Sequence, residues 1–419
     1  MSVVVMSADA DRLPVRVMAP LFGVVAIDAI GMGVILPLLP FYSQHFGASP
    51  FALGALVAIF SLGQFIAAPM LGRLSDRFGR KGVLLGSQTG TFVSLVLLAC
   101  AGNLLIVFLA RILDGITSGN LSVASAYAVD HSSPQNRRRA IGLVSAAVGV
   151  GMMVGPSLSA GLSRISISAP ILAAALLSAL SATVNVIFLP GDDKSAPGKG
   201  KRQVLSLWRT LRSPGAAPVL LVLALFYFGF SMYVSQFALF LQAHYVWNGA
   251  AFGPREVGYI FTASGAINII VQTVAMKKLD EVIPENLLAA VSLPLFSIGL
   301  SIFNFLPGLA PLAVGLVMAS VGTAMTRPTL MAALSMTSSP QQQGAIMGLN
   351  TSLMAVCNVI APLVAGALID HGLYFGWAFA IASIMAAGGC CTLVLVRLKK
   401  WPGDRPQPMP EGPFQPGQH

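Results

Sequence analysis

GRLSDRFGRK, from Gly72 to Lys81, sets five charges between two long apolar runs of a chain that is only 10% charged. A cluster that dense does not sit in hydrocarbon, where each central Asp, Lys or Arg costs about 2.5 to 3.5 kcal/mol on insertion scales. The stretch therefore predicts a short loop at a membrane surface, with the apolar runs on either side crossing the bilayer.

The composition agrees. The 419 residues are 55% hydrophobic, their mean hydropathy is +0.79, and 42 are glycine, which describes a chain solvated by lipid. A span needs about 20 apolar residues to cross roughly 30 Å of hydrocarbon. Cut at polar and turn-forming punctuation, the sequence supplies twelve, near 17–40, 51–71, 83–102, 104–126, 140–162, 168–189, 217–241, 255–276, 286–306, 309–331, 344–368 and 373–397. The first run is too long for a secretory signal and lacks a small-residue cleavage site, so it stays as a span. The predicted fold is an all-α membrane protein.

Lys and Arg in short loops stay on the cytoplasmic side. With the N-terminus inside, 21 of the 25 basic residues fall in cytoplasmic segments, while Arg164 and Arg255 fall opposite and Arg111 and Arg327 lie within spans. The expected location is the cell inner (plasma) membrane with both termini cytoplasmic. The net charge of +10 then reflects topology and contact with anionic membrane lipids. Nucleic-acid binding is disfavoured, because the bases are scattered among helix ends instead of forming one stripe.

Chemistry-bearing patterns are missing. Cys100, Cys357, Cys390 and Cys391 fall in predicted spans without metal-ligand spacing and read as packing residues. No HExxH or phosphate-cradling GxxxxGK[ST] occurs, so no enzyme activity, metal or cofactor is expected.

Gly191 to Gly215 changes composition abruptly, with Asp192, Asp193, two prolines and six bases. It reads as a cytoplasmic linker at 191–216 between bundles at 17–190 and 217–397, either plainly solvated or with an amphipathic surface helix at Val204 to Leu211. Residues 1–16 form an N-terminal tail, and the Pro/Gly-rich 398–419 a disordered cytoplasmic tail.

The halves repeat. SSPQ at Ser132 to Gln135 recurs at Ser338 to Gln341, and the same offset of 206 carries Gly142-Leu143 onto Gly348-Leu349 and Pro156 onto Pro362. An offset of 204 carries Pro50, Gly54 and Asp76 onto Pro254, Gly258 and Asp280. With six spans each, the halves enter the membrane in the same orientation, giving two pseudo-symmetric six-helix bundles related by an axis along the membrane normal.

Four stretches carry a family likeness: DAIGMGVILPLLP from Asp28 to Pro40, QFIAAPMLGRLSDRFGRK from Gln64 to Lys81, RILDG from Arg111 to Gly115, and GVGMMVGPSLSAG from Gly149 to Gly161. Over nearly its whole length the chain resembles the major facilitator superfamily, and its first half is most similar to the drug:proton antiporters that include bacterial tetracycline exporters. The resemblance implies a secondary active transporter working by alternating access, coupled to the proton and functional as a monomer. Its expected cargo is a small amphiphilic drug-like or metabolite substrate, in the manner of multidrug efflux and antibiotic resistance. Gly151, Gly155 and Pro156 fall on the family's antiporter-type packing motif, but Ser159 and Ala160 stand where paired glycines usually end it, which weakens export as the direction. Import of a sugar or other metabolite is the alternative.

In the charged stretch, Gly72 and Gly79 permit tight turns, and Arg77, Arg80 and Lys81 hold the helix ends at the anionic surface. The resemblance adds that Asp76 joins Asp130, at the end of the fourth span, and faces the helix start near Gly344, forming a conformational latch that favours the outward-open state. A purely topogenic role for these charges is the other reading.

Asp28 lies about eleven residues into the first predicted span, roughly 16 Å in, near mid-membrane. A carboxylate there is expected to face a polar cavity and take up a proton readily, or else to bond a neighbouring hydroxyl in helix packing. Arg111 and Asp114, three apart, share a helix face and form either a self-neutralised pair or, with Asp28, the proton-coupling group that the resemblance implies. Arg327 reads as snorkelling to the surface. Gln64, Gln236, Asn268, Gln272, Asn304, Asn350 and Asn358 are candidates to line a mid-depth substrate cavity between the halves. Tetracycline exporters usually carry acids in the third and ninth spans; here those spans offer Ser87, Ser94, Ser297 and Asn304.

Overall fold

The computed structural model describes residues 14–133, 136–191, 216–337, 343–398 and 401. Among them are twelve helices long and apolar enough to cross a membrane: Val15–His45, Pro50–Phe78, Arg80–Ala99, Leu104–Asp130, Arg139–Leu162, Ala169–Phe188, Ala216–His244, Pro254–Ala275, Glu285–Phe305, Leu309–Met336, Ile346–Asp370 and Tyr374–Arg397. Each coincides with one of the twelve expected spans, and they are numbered first to twelfth below. The end of the molecule carrying Val15 and Arg397 is called proximal, and the other distal. The chain is a multi-pass membrane protein. The linker from 192 to 215, the tail segments 1–13 and 402–419, and most of the SSPQ repeat lie outside the described residues.

Local chemistry sets the span ends. Ser49 accepts from the Ala52 amide at 3.2 Å with Pro50 at the first helical position, and Asn103 accepts from Ile106 at 3.0 Å. Glu256 turns back to accept from the Gly253 amide at 3.0 Å, half of a capping box. A small hairpin pairs Val246–Trp247 with Ala250–Ala251 through Asn248 and Gly249, both at positive φ, as a two-residue turn of this kind demands.

Helix neighbours repeat with a period of six spans. The first packs on the fifth and sixth, as the seventh packs on the eleventh and twelfth; the third packs on the fourth and sixth, as the ninth packs on the tenth and twelfth. The halves meet through the second with the eleventh and the fifth with the eighth, each contact the symmetry mate of the other. Lipid gives no hydrophobic drive between helices, so close approach depends on small residues. A Cβ at Gly299 would stand 2.5 Å from Gly315 O, and one at Gly115 2.5 Å from Phe60 O.

Several expectations change. The charged stretch is not a loop: Gly72–Phe78 end the second helix, Arg80 starts the third, and Gly79 alone, at φ 95°, joins them. Gly72 is helical and a Cβ on it would meet nothing within 4 Å, so no turn needs it. The fourth span is broken, with helices at Leu104–Thr117 and Asn120–Asp130, and the eighth carries a π-helical turn at Val271–Ala275. Trp401, placed by sequence in the tail, is buried against the second bundle. Cys100 lies just past the third helix and is exposed; among the described residues all four cysteines are free.

Candidate functional site

Asp28 sits thirteen residues into the first helix, about 20 Å from its proximal start, with its carboxyl at mid-depth. Its Oδ2 accepts from Asn120 Nδ2 at 2.8 Å, while among the described residues the buried Oδ1 has no hydrogen-bond partner within bonding geometry. Gln88 and Ser181 also lie near the carboxyl. Gln88 belongs to a buried seam between the third and sixth spans, donating to Ser181 Oγ at 2.6 Å and accepting from Asn185 at 2.8 Å. A carboxylate buried among amides and hydroxyls with one oxygen unbonded can take a proton on that oxygen.

The break in the fourth span brings Asn120 there. Ser118 and Gly119 interrupt the helix, and the freed backbone groups are met from neighbours: Ser87 donates to Thr117 O and receives from Gly119 N, and Gln64 donates to Ser118 O at 3.4 Å. Irregular backbone at this depth survives only where protein satisfies it. Before the break, Arg111 Nη1 pairs with Asp114 Oδ2 at 2.7 Å, and the guanidinium lies 4.1 Å from the centroid of the Phe60 ring. Asp114 lies before the break and Asn120 after it, so the span carries two polar centres, one on each side. Arg111 thus pairs with Asp114, while Asp28 is held by Asn120 from beyond the break.

The fifth span presses on the first next to Asp28. A Cβ at Gly151 would lie 2.7 Å from Ile30 N, and one at Gly155 2.6 Å from Ile30 O; Pro156 Cδ faces Gly33. Pro156 also faces the other half, where its carbonyl would stand 2.9 Å from a Cβ at Gly258. Ala160 packs on Gly258 as well, so the departure from paired glycines still allows close approach.

At the proximal surface Arg80 bridges two acids, Asp76 at 2.6 Å and Asp130 at 3.1 Å, and donates to Ser75 Oγ at 2.6 Å. Lys81 binds the last carbonyls of the sixth span, Val186 at 3.0 Å and Leu189 at 2.5 Å. Arg77 lies over Phe78. The side chains at the helix start near Gly344 lie outside the described residues. Contacts that join the halves cluster toward the distal end, with Gly54 on Pro362, Gly366 on Pro50, Gly258 on Pro156, and Gln236 Nε2 on Pro50 O at 3.0 Å, and reach mid-span where Gly265 meets Met153. The halves are therefore closed at the distal end, the end away from the Asp76, Arg80 and Asp130 cluster.

The other cavity candidates scatter. Gln236 is buried in the distal seam and Asn304 in the last distal turn of the ninth span, so neither is at mid-depth. Gln272, at the π-helical turn, donates to Asn268 at 2.6 Å. Asn350 accepts from Tyr227 OH at 3.1 Å between the seventh and eleventh spans, and Asn358 is half-buried on the eleventh. Arg327 is exposed on the tenth span, nine residues from its proximal end. Sequence reasoning missed Asn120, Gln88, Ser181 and Asn185; the signal was there in Thr117-Ser118-Gly119-Asn120, a helix-breaking run inside an apolar stretch, and in amides placed where hydrocarbon disfavours them.

The Major Facilitator Superfamily family model matches residues 21–293 and 249–417. The class G tetracycline resistance protein of Vibrio anguillarum is 30% identical over 86% of this chain and 93% of its own length. Multidrug resistance protein 2 of Bacillus subtilis (strain 168) is 25% identical over 87% and 91%. The crystal structure of the human organic anion transporter MFSD10 superposes with a TM-score of 0.66 at 22% identity, covering 90% of this chain and 99% of that one, which speaks to the fold. These are transporters, not enzymes. Twelve spans in two bundles with repeated helix contacts, the segment from Gly149 to Gly161 packed on the helix that carries Asp28, and a family match over nearly the whole length place this chain in the Major Facilitator Superfamily.

Proposed function

We propose that this transporter is a proton-coupled antiporter that exports a small amphiphilic drug-like or metabolite substrate. The observation that carries the reading is Asp28: a mid-depth carboxyl with one oxygen held by Asn120 and the other free, against the helix crossing made by Gly151 and Gly155. A group that exchanges charge state at the hinge of two packed helices couples proton uptake to helix movement. One charge crossing 100 mV supplies about 2.3 kcal/mol, roughly a 50-fold concentration ratio, so one proton per cycle is useful work. The similarity to tetracycline and multidrug resistance proteins supports export of an amphiphile. The positive-inside charge pattern supports a cytoplasmic proximal end in the inner membrane, and the family likeness supports the monomer as the working unit.

Proteoliposomes with an imposed pH gradient and a panel of amphiphilic compounds test this directly. The expected result is substrate movement against the proton gradient, lost in Asp28→Asn. Movement in the same direction as the protons favours the importer reading; transport indifferent to the gradient overturns proton coupling.

A further inference from the structure

Arg164 and Arg255 are the two basic residues that the charge pattern leaves on the distal side, where Lys and Arg are otherwise excluded. The fold brings them to the same phenol. Arg164, just past the fifth span, donates from Nη2 to Tyr259 OH at 3.0 Å, and the Arg255 guanidinium lies 5.7 Å from the centroid of the Tyr259 ring. One cation comes from the first half and the other from the second. Among the described residues the ion pairs lie elsewhere, and neither arginine has a carboxylate partner. Glu256 is the nearby acid, and its carboxylate caps the eighth helix at Gly253.

Beside this pair opens a cleft of about 510 Å³ between the hairpin and the eighth and tenth spans, with Arg255, Glu256, Tyr259 and Trp247 among its lining. Its deeper wall is Leu309, Leu312 and Leu316, which covers about 10 Å of depth below the distal surface. Two guanidiniums held together without an anion repel; a phosphate relieves that, and guanidinium is the side chain best matched to it. Trp and Tyr beside them suit the level of lipid headgroups, and an apolar slot running inward from that level suits an acyl chain.

We propose that this site binds a phospholipid of the distal leaflet, its phosphate between Arg164 and Arg255 and one acyl chain along the leucine wall. The bound lipid ties the two halves together at their distal end and favours the closed distal state.

The test uses the delipidated full-length protein in detergent, so it reads binding whether or not the transport reading holds. Dioleoyl phosphatidylglycerol should raise the unfolding midpoint, while dioleoylglycerol and inorganic phosphate should not. Arg164→Gln with Arg255→Gln should weaken lipid binding at least tenfold by native mass spectrometry and abolish the shift. In the unaltered binding site, acyl-brominated phosphatidylglycerol should quench a component of the fluorescence that Trp247→Phe removes. A full shift with phosphate alone, a full shift with dioleoylglycerol alone, unchanged lipid retention in the double variant, or quenching indifferent to Trp247 each overturns the proposal.

Discussion

The carbonyl group of Pro362 occupies the space a Cβ on Gly54 would need, its carbon 2.9 Å from that position, so the second and eleventh helices touch backbone to backbone. The offsets found in sequence carry this pair onto Gly258 and Pro156, which meet across the other seam. The internal repeat is therefore visible as a two-fold distal closure.

Gly54→Ala and Gly258→Ala should each hold the distal seam ajar, because backbone cannot yield as a side-chain tip does. In a background without native cysteines, Thr262→Cys, in the seam beside Ser157, should then react with a membrane-impermeant maleimide roughly tenfold faster, a shift of about 1.4 kcal/mol toward the open form. Unchanged labelling together with unchanged transport would remove the seam from the cycle.

Asp28→Asn keeps the hydrogen bond to Asn120 and removes the titration. Gradient-driven transport should vanish, while substrate binding and substrate exchange without a gradient persist with a flat pH profile. Coupled transport surviving in this variant would exclude Asp28 from coupling.

Arg111 and Asp114 are buried partners, their side chains 8% and 13% exposed. Removing one leaves an uncompensated charge, which costs about 3 to 5 kcal/mol. Arg111→Gln should therefore lower the unfolding midpoint sharply, and adding Asp114→Asn should restore most of it. If the double variant also transports normally, the pair is structural alone; restored stability with lost coupling gives it a role in the cycle.

Arg80→Gln breaks two ion pairs whose acids are 57% and 52% exposed. Exposed pairs contribute about 0 to 1 kcal/mol each, so stability should barely change. Turnover should fall several-fold if the cluster acts as a latch, and so should that of Asp76→Asn, with substrate affinity kept. Normal turnover in both would reduce the charges to signals for insertion.

The architecture was legible because lipid imposes a severe rule: about 20 apolar residues per crossing and charge only at the ends. The repeat was legible through glycines and prolines such as Gly54 and Pro156, whose chemistry is tied to close backbone contact. Asp28 stood out as a lone acid in an apolar run. What surrounds it did not, since Asn120 reaches it only because Ser118 and Gly119 interrupt the fourth helix, and that interruption is stable only because Ser87 and Gln64 come from other spans. The charged stretch was misread as a loop because surface placement was taken to require irregular backbone, whereas a single glycine suffices to turn the chain.

That one-residue joint at Gly79 has a mechanical result. The second helix spans the membrane, the third starts immediately beyond it, and Lys81 fastens the third to the carbonyl end of the sixth. So short an elbow leaves little chain to absorb a stroke, and tilting the second helix at its Gly54 end should pull the third along and, through Lys81, the sixth, as a lever swings a door.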